Sequence, residues 1–91
     1  GKLTNSTIQG FGVGFDCSNP SVGTGGGGWE ISHCTIGGNG VDMRLRDAYA
    51  THVNNCVIGL IGNYTGGLGI DFLDGCAEVQ ITNTLFEVDP V

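Results

Sequence analysis

Six residues recur four times, and that recurrence limits the folds open to the chain more than any other feature. Leu-Thr-Asn-Ser-Thr-Ile (3–8) returns as Ile-Ser-His-Cys-Thr-Ile (31–36), Val-Asn-Asn-Cys-Val-Ile (53–58) and Ile-Thr-Asn-Thr-Leu-Phe (81–86). The starts lie 28, 22 and 28 residues apart, and each position keeps its character: apolar, polar, Asn or His, small, variable, apolar. Each hexad reads as strand, tight corner, strand. A self-similar unit of this size cannot bury its apolar face alone and stacks on its neighbours. Stacking predicts four columns: Leu3, Ile31, Val53, Ile81; Ile8, Ile36, Ile58, Phe86; Ser6, Cys34, Cys56, Thr84; and Asn5, His33, Asn55, Asn83. Asparagine tolerates left-handed backbone and its amide can bond the copies on either side, so the last column belongs at the corner.

A glycine-rich bend follows each of the first three hexads (9–12, 37–40 and 59–69), and then an alternating strand: Val13-Gly-Phe-Asp, Val41-Asp-Met-Arg-Leu and Ile70-Asp-Phe-Leu. Alternation puts Val13, Val41 and Ile70, then Phe15, Met43 and Phe72, on the inner face. A third short segment, through Trp29, Thr51 and Val79, leads into the next hexad. Three short strands per repeat with no helical periodicity predict an all-β right-handed parallel β-helix of about three to four coils. The expected layout is a single domain over 1–91, with loop insertions at 18–28 and 59–69. So short a stack leaves unpaired strand edges at both ends. A homotrimer, or further coils of a longer chain, is the expected cover, and an opening at Gly1 rather than Met fits an excerpt of a longer polypeptide.

Glycine supplies 18 of 91 residues, yet 40% of the chain is hydrophobic and charge is sparse, which is not the profile of a disordered segment. Three Lys+Arg against nine Asp+Glu give a net charge of −6, which argues against nucleic acid as a partner. No apolar run is long enough to span a bilayer, so no membrane partner is expected. The four cysteines fit neither a dense disulfide framework nor a paired Cys-x-x-Cys zinc site and read as small buried thiols.

Four stretches carry a family likeness: LTNSTIQGFGVGF (3–15), ISHCTIGGNGVDMRL (31–45), VNNCVIG (53–59) and GGLGIDFLDGCAEVQITNTLF (66–86). They resemble the pectate-lyase-like β-helix superfamily and, within it, phage tailspike and tail-fibre proteins. The likeness covers most of the chain and is specific for the coil type rather than for an activity. It implies a trimeric virion or extracellular module that recognises surface polysaccharide and, if enzymatic, cleaves it as a hydrolase or lyase. It leaves open a non-catalytic virion segment whose coils serve assembly.

Asp42 and Asp71 are the candidate catalytic pair. Each follows a Gly-apolar pair, alternation turns both outward, and matching 41 with 70 stacks them in adjacent coils with backbones about 4.8 Å apart. Two carboxyls about 5–5.5 Å apart suit a retaining glycosidase, one as nucleophile and one as acid/base, and like charges that close raise one pKa. Against this, Gly14 occupies the same column in the first repeat, and an outward aspartate is often only solvated. Arg44 and Asp16 share the next outward column. There Arg44 could orient a sugar hydroxyl or carboxylate, or simply offset acidic charge. Tyr64, in the second insertion, is the loop aromatic for sugar binding. Residues 66–74 fit the calcium nonapeptide G-G-x-G-x-D-x-U-x, and 37–45 do so except at Arg44. The matches start 29 residues apart instead of in tandem, so no cofactor is expected beyond an incidental calcium. His33 reads as a corner hydrogen-bonding group rather than a metal ligand, and His52 faces outward without an evident partner.

Overall fold

A computed structural model describes residues 1–17, 28–59, 68–73 and 75–87. They form three parallel sheets and, among the described residues, no helix. The first sheet takes β1 (Lys2–Thr4), β4 (Glu30–Ser32), β7 (Tyr49–Asn54) and β10 (Ala77–Thr82), in that order. The second takes β2 (Thr7–Ile8), β5 (Thr35–Gly37), β8 (Val57–Gly59) and β11 (Leu85–Glu87), again in repeat order. The third holds β3 (Val13–Cys17), β6 (Val41–Leu45) and β9 (Leu68–Phe72). Each strand therefore pairs with its equivalent one repeat later. Leu68 and Gly69, expected in the second insertion, belong to β9. Residues 60–67, with Tyr64, lie outside the described set, as do 18–27.

The hexad columns form as the repeat predicts. Leu3 pairs with Ile31, Ile31 with Val53, and Val53 with Ile81. Ile8, Ile36, Ile58 and Phe86 pair in the same way. Ile31, Ile36, Val53 and Ile58 are 0% exposed, as are Met43 and Leu45 of β6. Burial of each such side chain contributes roughly 1.5–3 kcal/mol, so the middle two repeats carry most of the apolar stabilisation. Trp29 packs edge-on to Phe15, with ring centroids 5.1 Å apart, and extends this core.

The corner between the first and second sheets explains the hexad residue by residue. Asn5, His33, Asn55 and Asn83 all adopt left-handed backbone (φ 52°, 55°, 53° and 46°). Short polar side chains tolerate that region better than branched ones. The small residue that follows closes the corner by donating to the carbonyl two residues earlier. The distances are 2.9 Å for Ser6 Oγ to Thr4, 3.3 Å for Cys34 Sγ to Ser32, 3.2 Å for Cys56 Sγ to Asn54 and 2.9 Å for Thr84 Oγ1 to Thr82. The position thus needs a short side chain with a donor, which Ser, Thr and Cys share and Ala lacks. The column's cysteines, Cys34 and Cys56, are free thiols, like Cys17 and Cys76.

The third sheet departs from the expected register by two residues. Val41 pairs with Leu68 rather than Ile70, so Val13 and Val41 share one inner column, Phe15, Met43 and Ile70 the next, and Cys17, Leu45 and Phe72 the third. A slip of one residue would have turned every side chain to the other face, but a slip of two preserves inside and outside. The alternating pattern of β9 therefore satisfies either register.

Candidate functional site

The register shift separates the proposed carboxylate pair. Asp71 lies level with Arg44, not with Asp42, and its Oδ2 accepts from Arg44 Nε at 3.4 Å. Asp16 pairs with Arg44 from the other side, giving an Asp16–Arg44–Asp71 ladder across the third sheet. The Arg44 and Asp71 side chains remain 33% and 30% exposed, so solvent screening holds their pair to about 0–1 kcal/mol. Asp71 thus faces a guanidinium rather than a second carboxylate.

Asp42 does not face solvent as alternation suggested. It is 3% exposed, covered by the bend that precedes β6. Gly38, left-handed at φ 67°, turns the chain so that Asn39 folds back over the strand and is 1% exposed. Asn39 Nδ2 donates to Asp42 Oδ1 (3.0 Å), Gly37 O (3.1 Å) and Ile8 O (3.2 Å). Its Oδ1 accepts from the Phe11 backbone N–H at 2.9 Å, and its own N–H reaches Asp42 Oδ1 at 3.3 Å. One amide thus fastens the bend of the second repeat to that of the first. Burial pushes the Asp42 carboxyl above its usual value, while the Asn39 donors pull the other way. The same network accounts for Gly14 in this column: a Cβ there would lie 2.7 Å from Asn39 Nδ2 and 2.8 Å from the Asp42 carbonyl. Asn39 reads in sequence as an ordinary bend residue. Its only signal is an asparagine three residues before an aspartate, opposite a glycine.

The outward face of the first sheet carries a shallow depression of about 460 Å³ lined by Ala50, Thr51, His52, Glu78 and Gln80. Ala50 and Glu78 share left-handed backbone (φ 51° and 56°), and the pairing skips them between Tyr49–Ala77 and Thr51–Val79. Gly28, whose N–H donates to Tyr49 O, adopts φ 70°. Gly, Ala and Glu have no common chemistry, so this second left-handed corner leaves no mark in the sequence. His52, without an evident partner in sequence, lies 3.1 Å from Thr82 Oγ1 through Nε2. Tyr49, next to this depression along the chain, is 59% exposed. A second, more open hollow of about 560 Å³ runs along the corner at Asn55, Cys56, Asn83 and Thr84. There Asn83 Nδ2 donates to Asn55 Oδ1, one rung of the expected amide ladder. His33 stands in the same column with an exposed ring.

Among the described residues, no three His, Cys, Asp or Glu side chains are grouped so as to hold a metal ion. In the 37–45 stretch, the aspartate that a calcium loop would use is already bound by Asn39. The 66–74 stretch falls partly outside the described residues. No family model, no curated protein and no solved structure matches this chain.

Proposed function

We propose that the chain is a non-catalytic structural segment of a right-handed parallel β-helix, of the kind used in virion fibres or secreted proteins, whose coils serve assembly. The observation that carries this reading is that its polar side chains are spent between repeats. Asn39 ties two bends, Asn83 bonds Asn55, and Arg44 bonds Asp71 across adjacent strands. The acids that could have acted together are held apart by a buried amide on one side and a guanidinium on the other. The right-handed sense follows from the general preference for right-handed crossovers between parallel strands. The test is product release from a panel of capsular and plant polysaccharides, with Asp71→Asn and Asp42→Asn alongside. No release by any of the three proteins is the expected result. Release that either substitution abolishes would overturn the reading.

A second reading, binding of polysaccharide without cleavage, draws on the depression beside Tyr49. Its lining of His52, Glu78 and Gln80 offers hydrogen-bonding groups next to an exposed aromatic ring. Retention on immobilised glycans that Tyr49→Ala and Gln80→Ala both weaken would favour it over the structural role alone.

A further inference from the structure

Building on the structural reading, we propose that the chain recognises a second copy of itself head to tail, the edge formed by β10 and β11 of one molecule receiving β1 and β2 of the next. The apolar columns are the first observation. Val53 and Ile58 are 0% exposed, but their successors Ile81 and Phe86 are 37% and 43% exposed. These two side chains occupy core positions with one paired strand instead of two.

Backbone polarity is the second. Along the corner, each left-handed residue donates to the following repeat: Asn5 N to Ser32 O, His33 N to Asn54 O and Asn55 N to Thr82 O, at 3.2, 3.2 and 3.3 Å. Two residues further on, each N–H instead donates to the preceding repeat: Thr35 to Ser6 O, Val57 to Cys34 O and Leu85 to Cys56 O, each at 2.9 Å. The last repeat therefore presents Asn83 N–H and Thr84 C=O in the same alternation. The first repeat presents the complementary pair, Thr4 C=O and Thr7 N–H. A second copy placed in register brings Leu3 onto Ile81, Ile8 onto Phe86, Ser6 onto Thr84 and Asn5 onto Asn83.

In the same register Lys2 stands on Gln80, which follows Glu30 and His52 in that column. An unrelated partner has no reason to match the apolar, small and amide positions together. The two faces differ, so the contact is heterologous, and in-register stacking repeats a translation from strand to strand rather than a closing rotation: it yields linear stacks rather than a trimer.

The test uses two end-blocked versions of the full chain, Ile81→Lys with Phe86→Lys, and Leu3→Lys with Ile8→Lys, studied by sedimentation. The unaltered chain should show a mass that keeps rising with concentration. Each blocked version alone should associate more than about tenfold more weakly, since it must bury a charge in an apolar column. Mixed, the two keep one intact edge each and should form a one-to-one dimer and nothing larger. If a blocked version loses its β-type circular dichroism, Phe86→Lys alone replaces it on the last strand and Thr7→Pro, which removes an edge donor, on the first. A plateau at three subunits, a chain that stays monomeric at every concentration, or a mixture that gives no dimer would each overturn head-to-tail pairing. Polysaccharide cleavage, by contrast, would overturn the structural reading and leave the stacking measurement standing.

Discussion

Replacing Asn39 by alanine should destabilise the chain more than its place in a glycine-rich bend suggests. The substitution deletes four side-chain contacts: Oδ1 accepting from Phe11 N, and two Nδ2 hydrogens shared among Ile8 O, Gly37 O and Asp42 Oδ1. Two of them, to Gly37 and Asp42, are buried, so water does not readily take their place. A net value of about 1 kcal/mol for each buried bond, somewhat more for the carboxylate, and less for the two half-exposed ones, sums to roughly 3 kcal/mol. A chain of 91 residues holds about 5–14 kcal/mol in all, so the loss is a large share of the total. Urea unfolding followed by circular dichroism measures it as a lower midpoint at unchanged slope.

A double-mutant cycle with Gly14→Ala checks the mechanism. Alone, the added methyl meets Asn39 Nδ2 and the Asp42 carbonyl at 2.7 and 2.8 Å and should also destabilise. With Asn39 already truncated, one of those clashes disappears, so the two losses should sum to less than their separate values by about 0.5–1 kcal/mol or more. An Asn39→Ala protein within about 0.5 kcal/mol of the parent, a size typical of surface substitutions, would refute the claim that this amide holds the first two bends together.

Three further outcomes follow from the same geometry. Because burial raises the Asp42 carboxyl in the folded chain, its contribution is fully present below the unfolded-state value and lost as pH rises through the folded one; Asp42→Asn should flatten that fall in a urea-midpoint series against pH and be neutral or stabilising near neutrality. Burial also pushes the Cys56 thiol up, while backbone hydrogen bonding at Cys34 and Asn54 pulls the other way; with Cys34 and Cys56 each 2% exposed, neither should react with iodoacetamide until the chain unfolds, as peptide mass mapping would show. Ala50→Gly should stabilise by about 0.5 kcal/mol, because an L side chain at φ 51° is strained and the exposed methyl contributes little packing; a lower urea midpoint would contradict it.

What could be read from sequence divides at the corner residue. The hexads carry a phase marker, since a left-handed Asn or His followed by a short donor fits one place in the repeat. The first two sheets consequently pair as the sequence predicts, from Leu3 over Ile31 to Phe86 under Ile58. The third sheet has no such marker. Leu68-Gly-Ile-Asp-Phe alternates apolar and non-apolar, and with a period of two it lies equally well in registers two residues apart. Either choice buries the same kind of side chain, which is why the core was legible from pattern alone. The outward face has no such tolerance: a two-residue slip exchanges Asp42 for Arg44 as the neighbour of Asp71, turning an acid pair into an ion pair. Asn39 escaped for a related reason, since its partners lie in the preceding repeat and across the bend, where neither periodicity nor turn chemistry records them. In a fold built from a repeat, pattern specifies which face a residue occupies, while chemistry depends on which residue stands next to it one repeat away. That second quantity is set by absolute register, and only a residue with a single permitted place in the repeat reveals it.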